Sequence, residues 1–94
     1  MVIIGGGAGG ATVAGALKLS NPALDVTLVE AQAKYTSCFF SNAYIGGFYS
    51  LADLTHGYSG LTKLGVHVIH DRAEKIDTIK KTVDLQNKRQ ISYD

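Results

Sequence analysis

Six residues near the start of the chain, Gly5-Gly6-Gly7-Ala8-Gly9-Gly10, leave few folds open to it. They stand between an apolar run, Val2-Ile3-Ile4, and an apolar stretch of helical character, and they fit the pattern G-x-G-x-x-G. A second apolar run, Val26-Thr27-Leu28-Val29, ends on Glu30, twenty positions beyond the last glycine. Strand, glycine turn, helix, strand and acid in that order make a βαβ unit suited to a dinucleotide. Gly5 allows the tight turn out of the strand, Gly7 lets the backbone approach a pyrophosphate, and Gly10 lets the helix pack closely on the sheet. The helix N-terminus, at Ala8, Gly9 and Gly10, offers unpaired N–H groups and a positive dipole end to the phosphates. Glu30, with Ala31 beside it, is placed to meet ribose hydroxyls. Its carboxylate repels a 2′-phosphate, which disfavours NADP and leaves NAD and FAD.

The rest of the chain continues that plan. The first helix is expected from about Ala8 to Leu19, with Val13, Ala14 and Leu17 at helical spacing toward the sheet. Ser20-Asn21-Pro22 ends it, because the residue before a proline avoids helical backbone. Residues 25 to 30 read as the second strand and Ala31 to Ser37 as a loop. Ser41 to Ile45 reads as a short helix closed by Gly46-Gly47, and a second helical stretch, about Leu54 to Leu64, ends at Gly65. Val66 to His70 supplies a third strand and completes a right-handed β-α-β-α-β order. Ala73 to Ile76, Thr82 to Leu85 and Ile91 to Tyr93 are short strands separated by polar turns. The expected fold is α/β: a Rossmann-like, FAD/NAD(P)-binding parallel sheet over residues 1–72 with an antiparallel β-meander appended over 73–94.

At 94 residues, 46% hydrophobic and 18% charged, the chain suits one small domain and not a complete two-substrate dehydrogenase. A net charge of +1 argues against a strongly charged partner. Lys80, Lys81, Lys88 and Arg89 are interleaved with acids and amides, so they read as a solvated hairpin surface and not as a nucleic-acid-binding face. No apolar run approaches a membrane span, and no basic leader or cleavage site precedes the first strand. Cys38 is the single cysteine and cannot form an internal disulfide. His67 and His70 stand three apart on a strand and so face opposite ways, and no metal site is expected. Asp71 and Arg72 read as a turn or an exposed ion pair.

The glycine motif, the Val29-Glu30 pair and above all the segment Tyr35-Thr36-Ser37-Cys38-Phe39-Phe40-Ser41-Asn42-Ala43-Tyr44-Ile45-Gly46-Gly47 resemble the flavoprotein subunit of flavocytochrome c sulfide dehydrogenase. His56-Gly57-Tyr58 and Gly65 to Asp71 look like segments of the same family. The glycine motif is shared with sulfide:quinone reductases and NADH dehydrogenases; Cys38 to Gly47 is the specific part. The resemblance implies that FAD lies along this domain and that the full enzyme oxidises sulfide in the periplasm, passing electrons to a c-type cytochrome subunit. It also implies that Cys38 forms a thioether to the flavin. By residue type alone, Cys38 reads instead as a small buried hydrophobe.

The family's redox-active cysteine pair and its second glycine motif have no counterpart here, so an N-terminal piece without catalytic residues, inactive by itself, is expected. Quinone-reducing relatives of the same fold, or a non-catalytic nucleotide-binding module, are the competing readings. Self-association is expected from an unpaired sheet edge. Ala73, after the third strand, is a candidate backbone contact near the adenine by family analogy. Asn42 and Ser41 either cap the short helix or face the flavin. Tyr35 is set near the ribityl chain, and Lys34 reads as a solvated loop residue. Of Phe39 and Phe40, one is expected in the core and one toward the flavin pocket or a partner.

Overall fold

The computed structural model describes residues Met1 to Asp94. In chain order the elements are β1 (Val2–Ile4), α1 (Ala8–Ser20), β2 (Thr27–Val29), β3 (Tyr35–Thr36), α2 (Ser41–Ile45), α3 (Leu51–Leu54), β4 (Thr55–His56), α4 (Ser59–Lys63), β5 (His67–Ile69), β6 (Ala73–Asp77), β7 (Thr82–Leu85) and β8 (Gln90–Ser92). β1, β2 and β5 form one parallel sheet in the order β1-β2-β5, with Val2 opposite Thr27 and Thr27 opposite His67. A parallel sheet has to be covered on both faces, and alternation along β2 divides the two covers. Leu28 enters a cluster with Ala14, Val26, Tyr58 and Val66, while Val29 enters another with Val83 and Leu85. The first cover is α1 and the chain around Tyr58; the second is the antiparallel sheet β6-β7-β8. The Rossmann-like core and appended antiparallel sheet are those expected. No helix is long and apolar enough to cross a membrane.

Gly10 decides how closely α1 approaches β1. A Cβ built there would fall inside the van der Waals envelope of the Gly5 carbonyl oxygen, so only glycine fits. Further along, Ala14 is fully buried and Leu17 packs on the same cluster. Val13, expected to face the sheet, is instead 48% exposed. Helical neighbours lie about 100° apart at 3.6 residues per turn, so turning Ala14 and Leu17 inward carries Val13 to the flank. α2 and α4 stop by the same device. Gly47 and Gly65 have positive φ, and the bonds Phe48 N–H to Ala43 O and Val66 N–H to Leu61 O close Schellman turns.

Two expectations fail in the middle of the chain. The loop from Ala31 to Ser37 contains β3, which pairs antiparallel with β4. The helix expected over about Leu54 to Leu64 is broken into α3, β4 and α4. Ser50 starts α3 early: its hydroxyl accepts from Asp53 N–H at 3.2 Å, and its own N–H donates to the Asp53 carboxylate at 2.8 Å. Thr55 is β-branched and Gly57 a weak helix former, and Tyr35 draws His56 into a ring contact at 5.7 Å. Long-range pairing thus overrides local helical pattern.

Replacing Gly10 with Ala forces backbone against backbone and should destabilise the chain by about 3 kcal/mol or more. Gly9→Ala, whose Cβ would meet nothing within 4 Å, should be neutral or stabilise by about 0.5–1 kcal/mol. Urea midpoints of the two variants check the contrast; equal midpoints would show that α1 can lift away from β1.

Candidate dinucleotide-binding site

The glycine-rich loop is tied to its surroundings on three sides. Gly5, at φ +94°, turns out of β1 and donates its N–H to Val29 O at 2.8 Å, extending the β1–β2 pairing by one bond. Gly6 N–H donates to Glu30 Oε2 at 2.5 Å, and Gln32 N–H donates to the other carboxylate oxygen at 2.9 Å. On the opposite side, the Tyr58 hydroxyl donates to the Gly6 carbonyl at 2.8 Å. The Glu30 backbone is itself anchored, its N–H donating to Ile69 O of β5 at 2.9 Å.

After Gly6 the bonding pattern changes. The N–H groups of Gly7, Ala8, Gly9 and Gly10 have no protein acceptor, as expected for the first turn of a helix. Gly7 is the N-cap and offers no side-chain cap, and a Cβ there would meet open space. Gly7, Ala8 and Gly9 are exposed and Gly10 is half-buried, so the free donors begin at an open surface, an arrangement that suits phosphate oxygens.

A hollow lies on either side of this row. One, of about 210 Å³, is lined by Gly5, Glu30, Ala31, Asp71, Arg72 and Ala73. The other, of about 170 Å³, is lined among others by Gly7, Ala8, Thr12, Tyr35, Thr36 and Cys38. The fold thus gathers nine of the ten candidate contacts at the loop or its flanking hollows. Asn42 lines neither hollow; its side chain accepts from Ala43 N–H at 2.8 Å.

Several local expectations need correcting. Cys38 is exposed at the rim of its hollow and is not a buried hydrophobe. Its carbonyl accepts from the Ser41 hydroxyl at 2.9 Å, and Phe40, not Ser41 or Asn42, occupies the cap position of α2. Phe39 and Phe40 are both exposed, so neither enters the core. Of the two alternatives for Asp71 and Arg72, the local bend agrees with the turn, the Asp71 carboxylate accepting from Arg72 N–H at 2.7 Å. His67 lies 3.6 Å from Asp25 at the surface, and His70 Nδ1 lies 3.1 Å from Gln32 O. No group of three His, Cys, Asp or Glu side chains converges on a common point.

Tyr58 is the residue that sequence reasoning missed. Its ring lies between those of Tyr35 and His70, at centroid distances of 5.6 and 5.9 Å, and it is 5% exposed. It stands 52 positions from Gly6, with no periodic or motif signal linking the two. The segment His56-Gly57-Tyr58 stands out for its family likeness, but the sequence pattern sets it within a helix and gives Tyr58 no role at the site.

No protein-family model matches the chain. The flavoprotein chain of sulfide dehydrogenase (flavocytochrome c) from Chlorobaculum thiosulfatiphilum is 46% identical over 43 residues, which span 46% of this chain and 90% of that relative. The chain belongs to the flavoprotein oxidoreductases related to sulfide dehydrogenase and sulfide:quinone oxidoreductase. Among solved structures, the sulfide:quinone oxidoreductase of Aquifex aeolicus matches 99% of the chain with a TM-score of 0.89 and 30% identity. The NAD-dependent persulfide reductase of A. fulgidus matches 99% with a TM-score of 0.81 and 27% identity. The chain spans only about a fifth of these solved proteins, 22% and 20% respectively. It is an FAD/NAD(P)-binding oxidoreductase module of an electron-transferring flavoprotein family.

Burial first, then the nearby Glu30 carboxylate and the Tyr35 hydroxyl, hold the Tyr58 phenol above the ordinary tyrosine value of 10.0. The folded state therefore keeps this proton to higher pH than the unfolded chain does. Its stabilising contribution is intact below about pH 10 and drains away as pH rises through the folded value. Urea stability of the unmodified chain should fall as pH is raised above about 10, and the fall should be smaller in Tyr58→Phe. Identical pH profiles would exclude Tyr58 as the source.

Proposed function

We propose that this chain is the FAD-binding module of a sulfide-oxidising flavoprotein. The observation that carries the reading is the position of the Glu30 carboxylate. It is held at the Gly6 amide, beside the hollow that includes Ala73 and next to the four free N–H groups that begin α1. An extended dinucleotide can lie across this arrangement. The adenosine ribose would meet Glu30 and Ala31, with the backbone of Ala73 near the adenine. The pyrophosphate would meet the N–H groups of Gly7, Ala8, Gly9 and Gly10, which no side chain at position 7 obstructs. The flavin half would then continue toward the hollow bordered by Thr36 and Cys38, with Asn42 one turn beyond. When bound, FAD supplies the redox chemistry: it accepts an electron pair and releases electrons onward. The residues of this chain bind and orient it. A single cysteine cannot furnish the disulfide that would accept sulfide, so that step belongs to other parts of the enzyme.

The likeness of nearly the whole chain to a sulfide:quinone oxidoreductase supports quinone as the electron acceptor, and that is the reading adopted. The shorter likeness to a flavocytochrome c flavoprotein chain supports a second. In it the acceptor is a c-type cytochrome subunit in the periplasm, and Cys38, exposed at the rim of its hollow, carries the flavin through a thioether.

Calorimetric titration should show FAD binding to the chain, with Glu30→Gln weakening it by about 1–3 kcal/mol through loss of a charge-assisted bond to the ribose. An unchanged dissociation constant would mean that Glu30 does not face the ligand. Chain purified with its flavin and then denatured should return to the unmodified polypeptide mass. A mass raised by one FAD, and lost in Cys38→Ser, would transfer the assignment to the cytochrome-linked reading.

A further inference from the structure

Position 6 is one of the variable places in the motif G-x-G-x-x-G, yet here it cannot hold a side chain. A Cβ at Gly6 would sit 2.7 to 2.9 Å from three atoms of the Tyr58 ring and hydroxyl, closer than real Cβ contacts allow. The ring cannot give way easily, because it is buried in the cluster with Ala14, Val26, Leu28 and Val66. The Tyr58 hydroxyl holds the Gly6 carbonyl at 2.8 Å while Glu30 holds the Gly6 N–H at 2.5 Å. Both polar groups of this residue are thus committed to the protein, one on each side of the loop. The first free donor is the next N–H, that of Gly7.

We propose that Tyr58 is a positioning residue for the dinucleotide site: through the Gly6 carbonyl it fixes the loop so that the N–H groups from Gly7 onward face the ligand, and it sets cofactor affinity without touching the cofactor. The inference rests on the FAD-binding reading above for its consequence, though not for its geometry. A buried tyrosine usually finds a partner for its hydroxyl, so burial alone would not single it out. What does is the coincidence of three contacts on one residue: the ring against the Cβ position, the hydroxyl on the carbonyl, and the Glu30 carboxylate on the amide. Releasing the carbonyl frees that peptide to rotate, and the ordering that Tyr58 had supplied must then come from the ligand.

The test compares the unmodified chain with Tyr58→Phe, which keeps the ring and removes the hydroxyl, by amide hydrogen exchange and by FAD titration. Exchange at Gly5 and Gly6, whose N–H groups are held by Val29 O and Glu30, should speed up about tenfold relative to Leu28 and Leu85, and FAD affinity should fall about fivefold to tenfold, as for one hydrogen bond. Equal acceleration at all four amides would reveal a merely structural role and overturn the proposal, as would no change at Gly6. If the unmodified chain binds no FAD, the functional reading fails, while the exchange comparison still decides whether Tyr58 positions the loop. Gly6→Ala gives an independent arm: with Tyr58 intact it should shift the Tyr58 ring resonances and accelerate exchange at Gly5, whose N–H is bonded to Val29 O. Unchanged ring resonances and unchanged exchange would overturn the proposal.

Discussion

The structure depends on the contact between Gly10 and the Gly5 carbonyl, where α1 meets the turn out of β1 with no room for a methyl group. That contact sets the distance of α1 from the sheet, which lets Ala14 and Leu17 reach the cluster around Leu28. It also sets the direction of the helix axis relative to the strand ends. The free N–H groups of the first turn therefore emerge beside Glu30 and not over the sheet face. A larger residue at position 10 would tilt the helix, and packing and site geometry would be lost together.

β2 contributes the second constraint. Its two faces belong to different clusters, so its three residues connect the helix side of the molecule with the meander side. Glu30 follows directly, held by its own N–H to β5 and by its carboxylate to the glycine loop. The acid is consequently supported by backbone on two sides within the protein itself. Such prior ordering reduces the entropy that binding has to overcome.

The parts of this arrangement that were legible in the sequence are those with a local or periodic cause. Glycines at 5, 7 and 10, the alternation of β2, the acid at its end, and the glycine stops at 47 and 65 all follow from backbone geometry or side-chain period. The parts that were not legible depend on distant residues. Thr55 and His56 form a strand because Tyr35 and Thr36 are beside them. Phe39 and Phe40 lie outside the core because Leu28, Val66 and Tyr58 already fill the space between helix and sheet. The same holds within the site. Glu30 was readable from its spacing to the glycines, whereas Tyr58 reaches Gly6 across 52 positions, and no periodicity or spacing ties the two.

The strand order carries a consequence for assembly in time. Each strand of the meander meets the next across a short polar turn, so its contacts close over little chain. The parallel sheet has no such economy: Val2 must find Thr27, and Thr27 must find His67, each across a whole helical excursion. Distant pairings form late because loop-closure entropy is lost before contacts compensate it. The ends of β1 and β2, which present Gly5 and Glu30, lie at these late-closing pairings. The candidate site is therefore complete only once the longest connections of the fold have closed.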